Sequence, residues 1–196
     1  MGMSMEAVVG VAVGIGLAAA TGFRVFLPFL VAGLAARWGV LPLSDGFQWL
    51  ASTGALVALA TASLVETAAY YVPGIDHALD VLAGPAAVIA GIVASASAMA
   101  DIPPAILWPV AIIGGGGVAG LTKATSAVTR ASSGVATVGL ANPLVATGEI
   151  AGALGISIAA IVIPIICAIV VLVMLAWLAL RARRFLRRRS VRPATF

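Results

Sequence analysis

The chain has 196 residues, of which 62% are hydrophobic and only 9% are charged. A soluble globular domain carries roughly 25% charged residues, so this composition excludes an ordinary soluble protein. Uncharged runs at residues 46–65, 81–100, 102–122 and 150–180 each approach or exceed the ~20 residues that a transmembrane helix needs. The composition therefore predicts an all-α fold, a polytopic transmembrane helical bundle.

Positive charge is concentrated at the C-terminus and predicts the orientation of the chain. The formal net charge is +4. Seven of the 11 Lys and Arg residues lie in one tail: Arg181, Arg183, Arg184, Arg187, Arg188, Arg189 and Arg192. Basic residues next to a transmembrane end are retained in the cytoplasm. We therefore predict a single integral membrane domain at residues 1–180, a basic cytoplasmic tail at residues 181–196, a bacterial inner-membrane location and no nucleic-acid partner.

The N-terminus and two single residues argue against other classes. No basic residue precedes the first apolar run, so we expect that run to be retained and not removed as a signal peptide. Cys167 is the only cysteine and His77 the only histidine, which leaves a metal site or a nucleophile–histidine pair without support. We predict no cofactor, no metal and no enzymatic activity.

The first apolar stretch, residues 7–36, carries a single charge, Arg24. An arginine at the bilayer centre costs about 2.5–3.5 kcal/mol on insertion scales, so such residues usually face a protein interior or a cavity. Thr21, Gly22 and Pro28 interrupt the helical pattern, and such breaks gather at binding sites. We expect a re-entrant hairpin with its tip between Thr21 and Arg24. The alternative is one helix whose arginine snorkels to an interface.

The next elements are a polar loop at residues 37–45 and a helix at about residues 47–72. Aromatic residues near both ends of this helix, including Tyr70, match the aromatic belts of membrane interfaces. Glu66 lies inside the helix. An acidic segment at residues 75–82 follows and is expected outside the membrane, on the side opposite the tail.

A glycine-rich element follows the proline turn at residues 103–104. It runs from Gly114 through a polar stretch that contains Lys123 and Arg130. We expect a broken or re-entrant helix between Gly114 and Arg130, lined by protein, with an exposed loop as the alternative.

Asn142 begins the last segment, which carries Glu149 and continues to the tail with a kink at Pro164. Counting crossings back from a cytoplasmic tail places Asn142 outside and Arg37 inside.

Four ionisable residues lie in or near membrane-depth segments: Arg24, Glu66, Arg130 and Glu149. The arginines are predicted to bind an anion, since their forked donors suit phosphate or carboxylate, and the glutamates are predicted to accept protons. Alternatively, the pairs only neutralise buried charge. The remaining predicted substrate-binding residues are small or polar neighbours: Thr21, Gly22, Thr129, Ser132, Ser133 and Asn142. Asn142 is also a candidate N-cap of the last helix.

These positions belong to a set of motifs that occur in order along the chain. They are Thr21-Gly22-Phe23-Arg24-Val25-Phe26-Leu27-Pro28; Glu66 with Pro73-Gly74-Ile75-Asp76 and Asp80; Gly84-Pro85-Ala86-Ala87 ahead of Gly91; Thr129-Arg130 with Ser132-Ser133; and Asn142-Pro143 with Glu149. Over residues 10–149 the set resembles the bacterial membrane family filed as domain of unknown function 4126. The resemblance implies a compact multi-pass inner-membrane protein and brings no established activity. The tail lies outside it.

We therefore predict a small inner-membrane secondary transporter or flippase for an anionic substrate or lipid head group, with proton coupling as a driving force. The alternative is a non-transporting scaffold or partner subunit whose Arg–Glu pairs are structural. The lipid bilayer is the common partner, and a homo-oligomer is compatible with either. Whether Arg24 and Arg130 share one cavity distinguishes the two functions.

Overall fold

The computed structural model describes residues 4–71, 75–137 and 141–190, without the side chains of residues 75–81, 136, 182–183 and 185–190. The regular elements of these ranges are helices: α1 Met5–Thr21, α2 Leu27–Arg37, a 3₁₀ turn Gln48–Ala51, α3 Thr53–Ala69, α4 Ile75–Ser97, α5 Pro104–Val110, a π-helical segment Ala111–Gly116, α6 Gly117–Thr137, α7 Asn142–Val162 and α8 Pro164–Ser190. The predicted all-α bundle is confirmed. The side chains of Asp76, His77 and Asp80 lie outside the described residues.

Helices α1 and α2 form a hairpin, as the break between Thr21 and Arg24 predicts. Phe29 of α2 packs in one core cluster with Val13 and Leu17 of α1. Leu41, beyond the end of α2, lines a cavity together with Met5 at the start of α1. The two helices are therefore antiparallel, and residues 22–26 form the tip of the hairpin.

The glycine-rich element is a continuous helix with a π-helical segment, where a re-entrant break or an exposed loop was expected. Its residues Pro104–Val135 form a 32-residue candidate membrane span. A Cβ atom on Gly115 would lie 2.5 Å from Ser95 Cβ and 2.6 Å from the carbonyl oxygen of Gly91, so this glycine lets the helix contact α4 closely. Hydroxyls of the polar stretch are satisfied within the helix, as Thr129 Oγ1 donates to the Thr125 carbonyl at 3.0 Å.

The chain reverses between α7 and α8, where a kink at Pro164 was expected. Cys167 Sγ lies 3.8 Å from the carbonyl oxygen of Ile156. A straight helix, rising 1.5 Å per residue, would separate these residues by about 16 Å. Helix α8 therefore returns toward the end at which α7 begins. Asn142 and the described start of the tail, at Arg181 and Arg184, therefore lie at the same end of the bundle, contrary to the prediction from counting crossings.

The length and composition of the helices identify a membrane protein. Among the described residues, three helices are long and apolar enough to span a bilayer: Pro104–Val135, Asn142–Val162 and Pro164–Arg181. The shorter apolar helices are Met5–Thr21, Leu27–Arg37, Thr53–Ala69 and Leu82–Ser97. Of these, Thr53–Ala69 packs against Leu27–Arg37. We call the end that contains the hairpin tip, Tyr70 and Asn142 the polar end. The start of α1 lies at the opposite end.

Candidate functional site

The hairpin tip directs Arg24 into the bundle, where its side chain is 1% exposed. Nη2 donates to the carbonyl oxygen of Ala146 at 3.1 Å and lies 3.4 Å from Glu149 Oε2. Nε and Nη1 have no hydrogen-bond partner among the described residues. Because buried donors are almost always paired in folded proteins, two uncommitted donors on one buried guanidinium mark this position as unusual.

Arg130 of α6 binds the same glutamate from the other side. Its Nε donates to Glu149 Oε1 at 2.9 Å, and its Nη2 donates to Oε2 in a very close contact. Ser126 Oγ also donates to Oε1. This is the bidentate fork that makes Arg–carboxylate pairs both strong and geometrically specific. Arg24 and Arg130 therefore converge on one carboxylate.

The ring of Tyr70 lies between the basic side chains. The Cζ atoms of Arg24 and Arg130 are 4.0 Å and 4.4 Å from the ring centroid, and Lys123 Nζ is 5.7 Å away. Lys123 Nζ also lies 3.5 Å from the Tyr70 hydroxyl. These distances fall within the ≈ 6 Å range of cation–π attraction. We call Arg24, Tyr70, Lys123, Arg130 and Glu149 the cation cluster.

Glu66 of α3 lies at the edge of the cation cluster and binds backbone amides of the hairpin tip. Its Oε1 accepts from the backbone N–H of Val25 at 2.8 Å, and its Oε2 accepts from that of Phe26 at 3.2 Å. Phe26 is the N-cap residue of α2 and Val25 is the residue before it, and the N-cap side chain makes no hydrogen bond. A helix start leaves such donors without intrahelical acceptors. Glu66 therefore caps α2 from another helix and fixes the tip to α3.

Thr21 and Gly22 position the tip and do not face an open site. Thr21 is fully buried, and its hydroxyl donates to the Ala18 carbonyl at 2.7 Å. A Cβ on Gly22 would lie 2.5 Å from Thr122 Cβ, so this glycine allows the tip to press against α6.

The structure does not bring the other predicted binding residues into the cation cluster. Thr129 and Ser132 are exposed on the outside of α6, and Ser133 is half-buried. Asn142 is half-buried beside Gly134, and its Oδ1 has no hydrogen-bond partner among the described residues. It does not cap α7, because the N-cap position is Ala141 and no side chain bonds there.

Sequence reasoning missed three members of the site: Tyr70, Lys123 and Ser126. A signal for two of them was available. Lys123, Ser126 and Arg130 are spaced i, i+3 and i+7, which places them on one face of a helix. This spacing is informative only if the segment from Lys123 to Arg130 is known to be helical.

An apolar groove of about 620 Å³ borders the cation cluster. It lies between α3 and the start of α4, with the hairpin tip at one side. Its lining residues are Val25, Phe26, Ala58, Thr61, Ala62, Val65, Glu66, Ala69, Tyr70, Leu82, Ala83 and Ala86. Glu66 and Tyr70 thus belong to the walls of the groove and to the surroundings of Arg24.

A family model described as Domain of unknown function (DUF4126) matches residues 11–184, most of the chain. The chain belongs to the DUF4126 family. The match confirms the resemblance and extends it beyond Glu149 through α8 to Arg181 and Arg184 at the start of the tail. No curated protein and no solved structure matches the chain. The DUF4126 description assigns no activity, so the function must be argued from the geometry of the site.

Proposed function

We propose that the protein is a secondary transporter or flippase for an anionic substrate that bears a phosphate or carboxylate, and that this substrate binds at the cation cluster. The supporting observation is Arg24, which is 1% exposed yet has no hydrogen-bond partner for Nε and Nη1 among the described residues. An unsatisfied buried donor costs about 1–3 kcal/mol, and more when it is charged. An anion between these donors would recover that free energy through the forked geometry that arginine provides.

Glu149 is the proposed proton site. Its Oε2 lies 3.4 Å from Arg24 Nη2, and its Oε1 accepts a hydrogen bond from Arg130 Nε. A bound anion would compete with this carboxylate for the arginines. Protonation of Glu149 would weaken its hold and favour the anion, which couples proton movement to substrate binding.

Glu66 is the second proposed proton site and acts on the hairpin tip. Its carboxylate accepts the backbone N–H groups of Val25 and Phe26. A protonated carboxyl is a weaker acceptor, so protonation would loosen the tip that carries Arg24. A loosened tip would let Arg24 leave the Ala146 carbonyl and Glu149 during transport.

The proposed orientation places the polar end at the cytoplasm of a bacterial inner membrane. Helix α8 runs toward the polar end and continues past Leu180 into the Arg-rich segment. Arg181 stacks over Trp177, with its Cζ 5.2 Å from the ring, an arrangement typical of an interface. Basic residues are retained inside, so the cation cluster would open first to the cytoplasm. We propose a non-enzymatic role.

The test is flux into proteoliposomes, with a panel of labelled inorganic phosphate, glycerol phosphate and dicarboxylates, with and without a pH gradient. Arg24→Met should reduce flux at least about tenfold, since a charge-assisted bond contributes ≈ 1.5–3 kcal/mol. Thr129→Ala is the matched control and should transport like the parent. Glu149→Gln should remove the effect of the pH gradient. Parent-level flux in Arg24→Met would overturn the assignment.

The scaffold alternative is supported by the Arg130–Glu149 pair. Both oxygens of the Glu149 carboxylate accept hydrogen bonds from Arg130, as in a purely structural ion pair. This alternative predicts that replacing Arg24, Arg130 and Glu149 together by methionine keeps the fold and the cellular role, because apolar replacement of a buried ion pair or triad is often neutral or stabilising. Loss of transport in a triple variant that still folds would instead favour the transporter.

A further inference from the structure

The mouth of the apolar groove is bordered by exposed hydrocarbon side chains. Phe26 is 39% exposed, Val65 63% and Leu82 70%. In a membrane protein, exposed side chains of this kind face lipid tails and not water. With α3 and α4 lying within the membrane, the groove would open laterally toward the hydrocarbon core, beside the last turns of α3.

The size and lining of the groove suit one hydrocarbon chain. Its volume of about 620 Å³ falls in the ≈ 300–1,000 Å³ range of small-ligand sites. Alanines form much of its walls, including Ala58 and Ala62 on α3 and Ala83 on α4. Their small side chains leave a slot that an unbranched chain can fill without losing contact with either helix.

One wall of the groove separates it from a buried cation. Tyr70 lines the groove, and its ring lies 4.0 Å from the Arg24 guanidinium. The carboxylate in the same wall, Glu66, is held by two backbone amides of the tip. Rotation of the Tyr70 side chain would place the end of the apolar slot beside the Arg24 guanidinium, whose Nε and Nη1 have no hydrogen-bond partner among the described residues. An apolar slot that ends at such donors is complementary to an amphipathic anion.

We propose that the groove holds the hydrocarbon chain of an anionic phospholipid and that Arg24 binds the phosphate of that lipid, with Tyr70 as the gate between them. This inference rests on the proposed function, because it names a lipid-borne phosphate as the substrate class. It places the substrate in the membrane leaflet, from which it enters between α3 and α4.

The test uses the full chain in nanodiscs that contain equal amounts of phosphatidylglycerol and phosphatidylcholine of the same chain length. Native mass spectrometry identifies the lipids that stay bound after release. The parent should retain phosphatidylglycerol in preference. Ala62→Trp and, from the other wall, Ala83→Trp should reduce that retention at least about tenfold, as expected when a bulky ring removes a binding slot worth ≈ 1.4 kcal/mol or more. Ala176→Trp, at an exposed position of α8, is the control and should retain lipid like the parent.

The variants also separate the groove from the Arg-rich tail, which is unchanged in all of them and attracts anionic lipids by itself. Arg24→Met should keep bound lipid, and its preference for phosphatidylglycerol should fall to the level that the tail alone gives, which the groove-filling variants measure. Equal retention in the parent, Ala62→Trp and Ala83→Trp would overturn the inference. So would a parent that shows no preference between the two head groups.

Flux of soluble glycerol phosphate distinguishes failure of this inference from failure of the proposed function. If groove-filling variants change neither lipid retention nor soluble flux, while Arg24→Met abolishes that flux, the lipid inference fails and anion transport stands. If Arg24→Met changes neither flux nor lipid preference, both fail, because no anion depends on the arginine.

Discussion

Arg24 and Arg130 contribute to one cation cluster but are held in opposite ways. Arg130 projects from the long helix α6 and is fixed by a bidentate contact with Glu149. Arg24 projects from a short non-helical tip and commits a single nitrogen, Nη2, to the Ala146 carbonyl and to the edge of the same glutamate. The comparison indicates that α6 and α7 hold the cluster together, while the tip carries the guanidinium whose Nε and Nη1 have no hydrogen-bond partner among the described residues. The proposed anion binding rests on this difference.

The largest effect on stability is expected from Arg130→Met. Breaking a buried ion pair from one side costs about 3–5 kcal/mol, because the remaining carboxylate loses its main partner. The free energy of unfolding in mixed micelles should fall by that amount. Adding Glu149→Met alone should restore little, because Arg24 also lies 3.4 Å from this carboxylate and would then be left as an unpaired buried charge. Adding both Glu149→Met and Arg24→Met should restore most of the loss. Unchanged stability in the single variant would mean that Arg130 does not hold the cluster.

A smaller loss is expected from Glu66→Ala, which leaves the amides of Val25 and Phe26 without their acceptor. Hydrogen bonds to a charged group contribute about 1.5–3 kcal/mol each in net terms, and water can replace part of that at the partly exposed tip. Hydrogen exchange of residues 22–27 should accelerate, with little change in α6. Glu66→Gln, which keeps one acceptor, should lie between this variant and the parent. Equal protection of the tip in all three would contradict the capping role.

Arg24→Met should change stability by less than about 1 kcal/mol or increase it, since an apolar side chain replaces a buried cation with uncommitted donors. Glu149 keeps its bidentate partner in this variant. Anion flux should nevertheless be lost. A stability loss as large as that of Arg130→Met would show that Arg24, like Arg130, is needed to hold the cation cluster together.

The smallest effect is expected from Thr129→Ala. Thr129 is exposed, and its hydroxyl bonds only within its own helix. Substitutions at such positions usually change stability by less than about 0.5 kcal/mol. Stability and flux should both match the parent, and a loss of flux would show that the outer face of α6 takes part in transport.

The charged residues of the site could be predicted because a charged side chain within an apolar run is costly to insert into the membrane. Arg24 is the only charge in about thirty residues, so its burial and its need for partners follow from the insertion cost of an arginine. The break at the tip was predictable for a similar reason, since Gly22 and Pro28 interrupt the helix on either side of it.

The neighbours of the charges could not be predicted in the same way. Thr129 and Ser132 are close to Arg130 in sequence, but each residue of a helix turns by about 100°, so these hydroxyls point away from the cluster. Tyr70 near a helix end has the pattern of an interfacial aromatic. Only the packing of α3 against the tip makes it the surface on which Arg24 and Arg130 stack.

The reversal of the chain at Ile163, between α7 and α8, could not be predicted from the sequence because no polar residue lies at the turn. Sequence patterns identify turns by polar or glycine-rich stretches, whereas this turn lies in a run of aliphatic residues around Pro164. It is stabilised by contact instead. The Gly16 backbone lies against Ala160 and Cys167, one from each of the two helices.

The π-helical segment Ala111–Gly116 relates the length of its helix to the direction in which its later residues face. A π turn closes through i→i+5 hydrogen bonds, so it accommodates one residue more than an α-helical turn. Deleting one residue within this segment would therefore restore a regular α-helix and leave Lys123 and Arg130 facing Glu149. Deleting one residue between Gly117 and Lys123, where the helix is already α-helical, would instead turn both side chains by about 100°, away from Glu149. The π turn is thus a place where this helix can change its length without turning the cation cluster.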